Sequence, residues 1–231
     1  MYGYVKVGSA VPKLRVADCV YNKEEILKLV EAAAAKQVRV LSFPELSVTG
    51  YTCADLFFQA PLLHAAEQAI QEIAEATEAL NIFLLIGAPI AVDNQMFNCA
   101  VALYKGKLLG IVPKTHIPNY SEFYEERWFA SADDLLTEEI TYAGQNVPIG
   151  ADLIFAAADF PALKIGVEIC EDLWVPIPPS SYLSLYGATL LLNLSASNEL
   201  ASKPGYRRQL VSQQSARCLS AYVYTSAGTG E

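Results

Sequence analysis

The sequence predicts an α/β protein with a mixed sheet. Short apolar runs alternate with stretches of helical periodicity, and three apolar runs follow one another directly in the middle of the chain. Alternation with helices is typical of parallel strands, whereas closely spaced strands pair antiparallel. The chain has 231 residues, of which 53% are hydrophobic and 18% charged. This is enough for one substantial core, so we expect a single domain over residues 1–231.

The first half of the chain supplies the alternating elements and the three successive strands. Asn22 is a residue type that caps helices, and Pro61 suits a first helical turn. Lys105-Gly106 predicts a tight turn between two of the successive strands. Strands are predicted over residues 3–12, 38–42, 82–90, 96–104 and 107–113, and helices over residues 22–36 and 61–80.

The second half begins with a polar and aromatic segment, residues 114–150, which has little periodicity. Loops of this length inside one domain are usually functional or disordered, and the aromatic content favours a functional loop. The remaining elements are predicted as strands over 153–157, 164–169, 189–194 and 221–226, and a helix over 204–219.

Charge and cysteine content exclude several classes of protein. The formal net charge is −9, and no basic run is longer than Arg207-Arg208, which argues against nucleic acid or an anionic membrane as partner. The N-terminus has no secretory pattern, and no apolar run is long enough to span a bilayer. Five scattered cysteines without a C-x-x-C pair indicate neither a disulfide framework nor a metal site. We therefore expect a cytoplasmic protein without a metal.

Three reactive side chains follow directly after predicted strands, where α/β folds build their sites. These are Glu45, Lys114 and Cys170. A thiol on a sharp turn would be exposed, and the N–H of Glu171 would be free to donate to an oxyanion. A free thiol has a pKa of about 8.5 and needs activation. With only two histidines in the chain, a carboxylate assisted by an ammonium is the remaining arrangement.

Each of these residues also has an ordinary structural interpretation when it is taken alone. A cysteine after a strand is commonly a small buried hydrophobic residue. A lysine usually lies at the surface, and a glutamate near a proline usually lies in a solvated turn. Neither the spacing nor the composition decides between these interpretations and a catalytic site.

Three segments in order resemble the signature blocks of the nitrilase, or carbon–nitrogen hydrolase, superfamily: residues 43–51, 113–120 and 166–174. Phe-Tyr-Glu-Glu-Arg-Trp-Phe at 123–129 and Asn-Leu-Ser-Ala-Ser-Asn at 193–198 are most similar to the glutaminase domains of glutamine-dependent NAD synthetases. The resemblance covers nearly the whole chain. It implies an α-β-β-α sandwich with mixed sheets.

The resemblance also implies roles. Cys170 would be the nucleophile, Glu45 the general base and Lys114 the stabiliser of the oxyanion, while Glu122 resembles the second, structural glutamate. Asp172 and Trp174 would be structural supports. The implied reaction is hydrolysis of the L-glutamine side-chain amide to glutamate and ammonia through a cysteine thioester. The residues expected at the substrate are Tyr120, Ser197, Lys203 and Glu171.

In such enzymes the ammonia serves a synthetase domain, which converts deamido-NAD to NAD with ATP. This sequence has no Gly-rich pyrophosphate loop, so we expect it to lack that C-terminal domain, to be truncated at its C-terminus and to need no cofactor of its own. A homo-oligomer is also expected. Two alternatives stay open: a free-standing amidase that acts on another carboxamide, and a catalytically silent assembly module.

Overall fold

Two β-sheets lie face to face between helices in the computed structural model, which describes residues 3–228. The helices of this part of the chain are α1 (Cys19–Ala35), α2 (Ala60–Ala76), α3 (Pro179–Leu185) and α4 (Lys203–Cys218). The strands are β1 (Val7–Ser9), β2 (Val40–Ser42), β3 (Phe83–Val92), β4 (Gln95–Tyr104), β5 (Lys107–Pro113), β6 (Glu139–Tyr142), β7 (Gln145–Pro148), β8 (Ile154–Ala156), β9 (Lys164–Ile169), β10 (Leu190–Ser195) and β11 (Ala221–Ser226).

The first sheet has the order β1-β2-β3-β4-β5. Strands β1, β2 and β3 are parallel, whereas β4 runs antiparallel to both β3 and β5. Two tight turns make this possible: Asp93-Asn94 has φ of 48° and 65°, and Lys105-Gly106 has φ of 50° and 78°. Positive φ at both central positions matches the twist of a two-residue hairpin. The predicted Lys105-Gly106 turn is confirmed.

The second sheet has the order β11-β10-β9-β8. Its strands β9, β10 and β11 are parallel, and β8 is antiparallel to β9. Both sheets therefore mix the two kinds of pairing, as the sequence predicts. A separate hairpin, β6–β7, extends beside the first sheet and is linked to it by a bridge between Ile111 and Ile149.

The alternation of side chains along the strands builds the layers. In β3, Leu84 and Ile86 point to the cluster that contains Ile26 of α1 and Ile70 of α2. Their neighbours Phe83 and Leu85 point the other way, into the cluster shared with β9 and β10. On the outer face of the second sheet, Leu183 of α3 packs with Leu191 of β10. The α-β-β-α sandwich with mixed sheets is confirmed.

Several local predictions are wrong. Helix α1 begins at Cys19 because the Asp18 carboxylate accepts from Tyr21 N. Asn22 lies buried inside the helix, where its side-chain amide binds the backbone of Arg15 and Val48. The first strand is only three residues long. The segment 114–150 contains the hairpin β6–β7, and α3 was not predicted.

Within residues 3–228, none of the helices combines the length and the apolar character needed to cross a bilayer.

The close approach of β3 to the segment after β2 yields a stability prediction. A Cβ at Gly87 would lie 2.3 Å from Leu46 N and 2.6 Å from Pro44 O. Because both atoms belong to the backbone, Gly87→Ala must displace the segment that carries Glu45. We expect a loss of roughly 1–3 kcal/mol of unfolding free energy or more, measured by urea denaturation.

Gly205 of α4 provides the matched control, because a Cβ there would meet no atom within 4 Å. Gly205→Ala should leave the unfolding free energy unchanged or raise it by up to about 1 kcal/mol, since alanine favours helix more than glycine. Equal stabilities for the two variants would contradict the close packing at Gly87.

Candidate active site

Three strand ends converge on one buried site. Glu45 lies three residues beyond the end of β2, Lys114 directly follows β5, and Cys170 directly follows β9. The first two strands belong to one sheet and the third to the other. The site therefore lies where the two sheets meet at one end of the sandwich, and it depends on how the sheets pack.

Lys114 is the centre of the site and is fully buried. Its Nζ donates to Glu45 Oε1 at 2.6 Å. The same Nζ donates to both carboxylate oxygens of Glu125, at 3.0 and 2.9 Å. Glu45 and Glu125 are 1% and 2% exposed, so one ammonium is shared by two buried carboxylates. A buried charge is tolerated only when it is paired and hydrogen-bonded in this way.

Two further donors fix the Glu45 carboxylate. Asn98 Nδ2 donates to Oε1 at 2.7 Å, and the backbone N of Ala196 donates to Oε2 at 2.9 Å. Asn98 lies on β4 and Ala196 directly follows β10. Each oxygen of this carboxylate thus has a partner, and its orientation is set by both sheets.

The electrostatics of the pair suit a proton acceptor beside a permanent cation. Burial raises the pKa of Glu45 above its usual value, although the charge of Lys114 opposes the shift. Burial alone would lower the pKa of Lys114, but the charges of Glu125 and Glu45 raise it well above its usual value. Lys114 therefore stays an ammonium, while Glu45 gains basicity.

Cys170 lies on a strained turn at the end of β9. Its φ is +45°, a conformation that costs a non-glycine residue energy and persists only when the surroundings impose it. The surroundings here include Asn193, whose Oδ1 accepts from Cys170 N at 3.1 Å. Ser195 Oγ lies 3.2 Å from Cys170 Sγ. The sulfur is buried among polar partners, and Cys170 as a whole is 6% exposed.

The Cys170 sulfur is a thiol at rest. Burial raises its pKa, the negative Glu45 raises it further, and the positive Lys114 opposes both. The successive residues Ser195 and Ala196 bind the Cys170 sulfur and the Glu45 carboxylate, which brings these two groups to the same end of β10. A thiol in this state needs a base to become a nucleophile, and Glu45 is the carboxylate beside it.

Asp172 ties the cysteine turn to the loop after Lys114. Its Oδ1 accepts from Thr115 N at 3.2 Å and His116 N at 2.7 Å, and its Oδ2 accepts from Ile169 N at 2.9 Å. Burial raises its pKa to about 8, although the amide donors oppose the shift. The carboxyl group joins segments that are more than fifty residues apart in the chain.

The prediction of Glu122 as the second glutamate is wrong. Glu122 is exposed, whereas Glu125 is buried and binds Lys114. Glu125 begins the short 3₁₀ turn Glu125–Arg127, and it also accepts from the Tyr51 hydroxyl. The turn is drawn inward because Phe129 packs edge-on against the buried Phe57, with ring centroids 4.9 Å apart. Arg127 also binds Asp55, and Glu125 N donates to Pro118 O, so several contacts together turn Glu125 toward the lysine.

The residues expected at the substrate lie around the rim of the site. Tyr120 donates to the Glu171 carboxylate at 3.1 and 3.0 Å. The N–H of Glu171 belongs to the first turn of the 3₁₀ segment Cys170–Leu173, where amides lack partners within the turn. Ser197 N donates to Ser195 Oγ at 3.1 Å. Lys203, at the start of α4, donates to the Asn198 side chain.

Two surface depressions meet at Tyr120. One has a volume of about 1000 Å³, and Glu171 and Trp128 are among its lining residues. The other has about 350 Å³ and is lined by Trp174 and Lys203. The Lys203 ammonium lies 5.1 Å from the centroid of the Trp174 ring, within the range of a cation–π contact. Among residues 3–228, no cluster of His, Cys, Asp and Glu could hold a metal ion.

Sequence reasoning missed several buried polar residues of the site. Asn98 and Asn193 are fully buried in the middle of otherwise apolar strands. A lone amide in such a strand is a usable signal, because buried polar groups must find a partner. Tyr51 and Ser195 lie inside the segments 43–51 and 193–198 that resemble the family, but no role was expected for them, and Tyr224 gave no signal because tyrosine is common in strands.

The comparisons with known proteins find glutamine-dependent NAD(+) synthetases among the similar sequences. The enzyme of Mycobacterium tuberculosis is 39% identical over 230 residues, covering 100% of this chain and 34% of the relative. The human enzyme is 30% identical over 217 residues, covering 86% of this chain and 30% of the relative. This chain thus spans about a third of the length of these relatives.

Two solved structures show the same fold. A glutamine-dependent NAD(+) synthetase from Cytophaga hutchinsonii superposes with a TM-score of 0.84 at 31% identity, covering 96% of this chain and 36% of that one. An amidase from Nesterenkonia sp. superposes with a TM-score of 0.75 at 16% identity, covering 98% of this chain and 78% of that one.

The family model described as carbon–nitrogen hydrolase matches residues 7–231. This match includes all three strand ends that carry Glu45, Lys114 and Cys170. With the sandwich fold and the buried carboxylate–ammonium–thiol site, it shows that the chain belongs to the carbon–nitrogen hydrolase family.

Proposed function

We propose that the chain hydrolyses the side-chain amide of L-glutamine to glutamate and ammonia, through a thioester on Cys170. One observation carries the proposal: the buried Lys114 ammonium is bound by both Glu45 and Glu125 beside a cysteine held at φ +45°. This arrangement provides a base, a cation and a nucleophile within one water-poor pocket. Such electrostatic preorganisation is usually the largest single contribution to acyl-transfer catalysis.

The first step moves a proton and forms a bond. Glu45 takes the proton of the Cys170 thiol as the sulfur attacks the amide carbon. The developing oxyanion is stabilised by the Lys114 ammonium and the N–H of Glu171. Because Lys114 remains bound to Glu125, it can face the oxyanion after Glu45 is neutralised.

The second step breaks the carbon–nitrogen bond. Protonated Glu45 returns its proton to the leaving nitrogen, and ammonia departs to leave a glutamyl thioester. Glu45 then accepts a proton from water, whose oxygen attacks the thioester carbon, and the proton returns to the departing sulfur. Glutamate is released and the thiol is regenerated, so no proton or electron is gained or lost by the enzyme.

The charges at the rim support glutamine as the amide. Free glutamine carries an ammonium and a carboxylate on its Cα. The half-buried Glu171 carboxylate lies next to Cys170 in the chain, and Lys203 provides an opposite charge at the start of α4. We assign these two side chains, with Tyr120 and Ser197, to the substrate. The names of the relatives, which are glutamine-dependent synthetases, support the same choice.

The remaining length of those relatives suggests the fate of the ammonia. We propose that it serves a synthetase domain that converts deamido-NAD to NAD with ATP, and that the enzyme acts as a homo-oligomer. A cytoplasmic location suits this function, because a reducing environment keeps the Cys170 thiol free. The glutaminase chemistry itself needs no cofactor in this scheme.

Replacement of the nucleophile tests the enzyme proposal. Cys170→Ala should lower glutamine hydrolysis by at least about 10³-fold, because no other group can form the acyl intermediate. Ammonia release measures the activity. A glutamine-mimicking electrophile should add one adduct to the unmodified chain, located at residue 170 by peptide mass spectrometry, and none to the variant.

Cys218→Ala is the matched control, because this half-buried cysteine at the end of α4 contacts Gln214 and Ser180; it should keep both activity and adduct. An unmodified chain that forms no adduct would favour a silent assembly module. Faster turnover of another carboxamide than of glutamine, in a panel of amides, would favour a different amidase.

The assignment of Glu125, and not Glu122, as the second glutamate can be tested separately. Glu125→Gln removes one of the two charges that hold Lys114, so the ammonium loses its position for the oxyanion. We expect kcat/KM for glutamine to fall by roughly 10–10²-fold, the cost of a small misplacement. Glu122→Gln should stay within about twofold of the unmodified protein, because this side chain is exposed. A larger loss of kcat/KM in Glu122→Gln than in Glu125→Gln would instead assign this role to Glu122.

The pH dependence of kcat/KM tests Glu45 as the base. Only ionised Glu45 accepts the thiol proton. Because the pKa of Glu45 is raised, the acid limb of the pH profile should have its midpoint above 4.5, the usual pKa of a glutamate. Asn98 donates to the ionised form and lowers this pKa. Asn98→Leu should therefore move the acid limb to higher pH. Asn81→Ser is the control, because Asn81 is exposed and binds the Tyr104 hydroxyl. An acid limb that does not move in Asn98→Leu would exclude Glu45 as the titrating base.

A further inference from the structure

Ser195 lies between the nucleophile and a tyrosine of the edge strand β11. It is the last residue of β10 and is fully buried. Its Oγ is 3.2 Å from Cys170 Sγ and 2.6 Å from the Tyr224 hydroxyl. The N–H of Ser197 donates to the same oxygen at 3.1 Å. Three groups thus surround one hydroxyl.

The count of protons decides the direction of these bonds. A serine hydroxyl has one hydrogen and two lone pairs. The Ser197 N–H can only donate, so it occupies one lone pair. Burial raises the pKa of Tyr224, so the phenol keeps its hydrogen and can fill the second lone pair. The hydrogen of Ser195 is then left for the sulfur.

The negative sulfur needs such a donor. When the thiol proton has moved to Glu45, Cys170 Sγ can only accept hydrogen bonds. Lys114 is already bound to Glu125 and, in the proposed mechanism, faces the oxyanion. A hydrogen bond from a neutral donor to a buried charge is worth more than one between neutral groups.

We propose that Ser195 is a further catalytic residue, which donates its hydroxyl hydrogen to the Cys170 thiolate, and that Tyr224 is a positioning residue that fixes this hydroxyl. The proposal rests on the proposed function, in which Cys170 is the nucleophile. It assigns different negative atoms to different donors: Ser195 holds the sulfur before attack, and Lys114 holds the oxygen after it. No new bond or electron transfer is required.

Other charged and titratable groups act on the same sulfur and must stay constant in the test. They come from the segment after β2, the loop after β5 and strand β11: Glu45, Tyr51, Lys114, Tyr120, Glu125 and Tyr224. Replacement of Ser195 leaves all of them in place.

Thiol alkylation tests the proposal without glutamine. The rate of Cys170 alkylation by iodoacetamide at pH 8, resolved by peptide mass spectrometry, reports the thiolate fraction. Ser195→Ala should slow it by about three- to tenfold, after allowance for the greater nucleophilicity of a more basic thiolate. Tyr224→Phe should slow it by about two- to threefold. Ser195→Thr, which keeps the hydroxyl, should restore most of the rate.

The control is Ser184→Ala, which removes a hydroxyl that donates to Ser180 O on α3 and should not change the alkylation rate. Urea denaturation confirms that each variant is folded. An unchanged rate in folded Ser195→Ala, or a Ser195→Thr rate as low as that of Ser195→Ala, would overturn the proposal. Failure of the proposed function would give a different result: the protein would not turn over glutamine, although Cys170 alkylation would still depend on Ser195.

Discussion

A single buried ammonium shared by two buried carboxylates is the interaction on which the site depends. Lys114, Glu45 and Glu125 together carry one net negative charge in a space from which water is excluded. Replacement of Lys114 would leave two buried carboxylates without a cation, which is strongly destabilising, whereas loss of one carboxylate leaves a neutral ion pair with one partner fewer to hold the ammonium. Transfer of the thiol proton to Glu45 moves the negative charge to sulfur without changing the total. The pocket is therefore electrostatically prepared for the intermediate before the substrate arrives.

Backbone contacts hold the nucleophile beside this charge network. The positive φ of Cys170 is imposed by Asn193 on one side and by Asp172, which also binds the loop after Lys114. Asn193 joins β10 to the end of β9 within the second sheet, and Asp172 joins the end of β9 to the loop after β5 of the first sheet. A shift of one sheet against the other would separate the base from the sulfur, so the packing of the sandwich and the geometry of the site are one constraint.

Much of this arrangement follows from the sequence, and the remainder follows from packing. Strand periodicity predicts the long strands. The positions of Glu45, Lys114 and Cys170 after strands make them candidates, and the resemblance to carbon–nitrogen hydrolases gives them their expected roles. The choice between Glu122 and Glu125 could not be predicted, because both lie in an aperiodic loop whose turn is held by residues far away in the chain, through the contacts of Phe129 with Phe57 and Arg127 with Asp55. Likewise the hairpin at 139–148 has a clear turn only at Ala143-Gly144, where φ is positive. Ser195 and Tyr224 meet only because β10 and β11 pair in parallel.

The division between strand ends and loops has a consequence for how such a scaffold can diversify. The proton-transfer machinery is anchored to rigid strands of both sheets, whereas Tyr120 and Ser197 lie on connecting loops and Lys203 begins a helix. Changes in shape or charge at these outer positions can alter which carboxamide fits while bond cleavage stays intact. A scaffold with this layout can acquire new substrates through changes in its loops, and each variant along the way would keep a reactive cysteine.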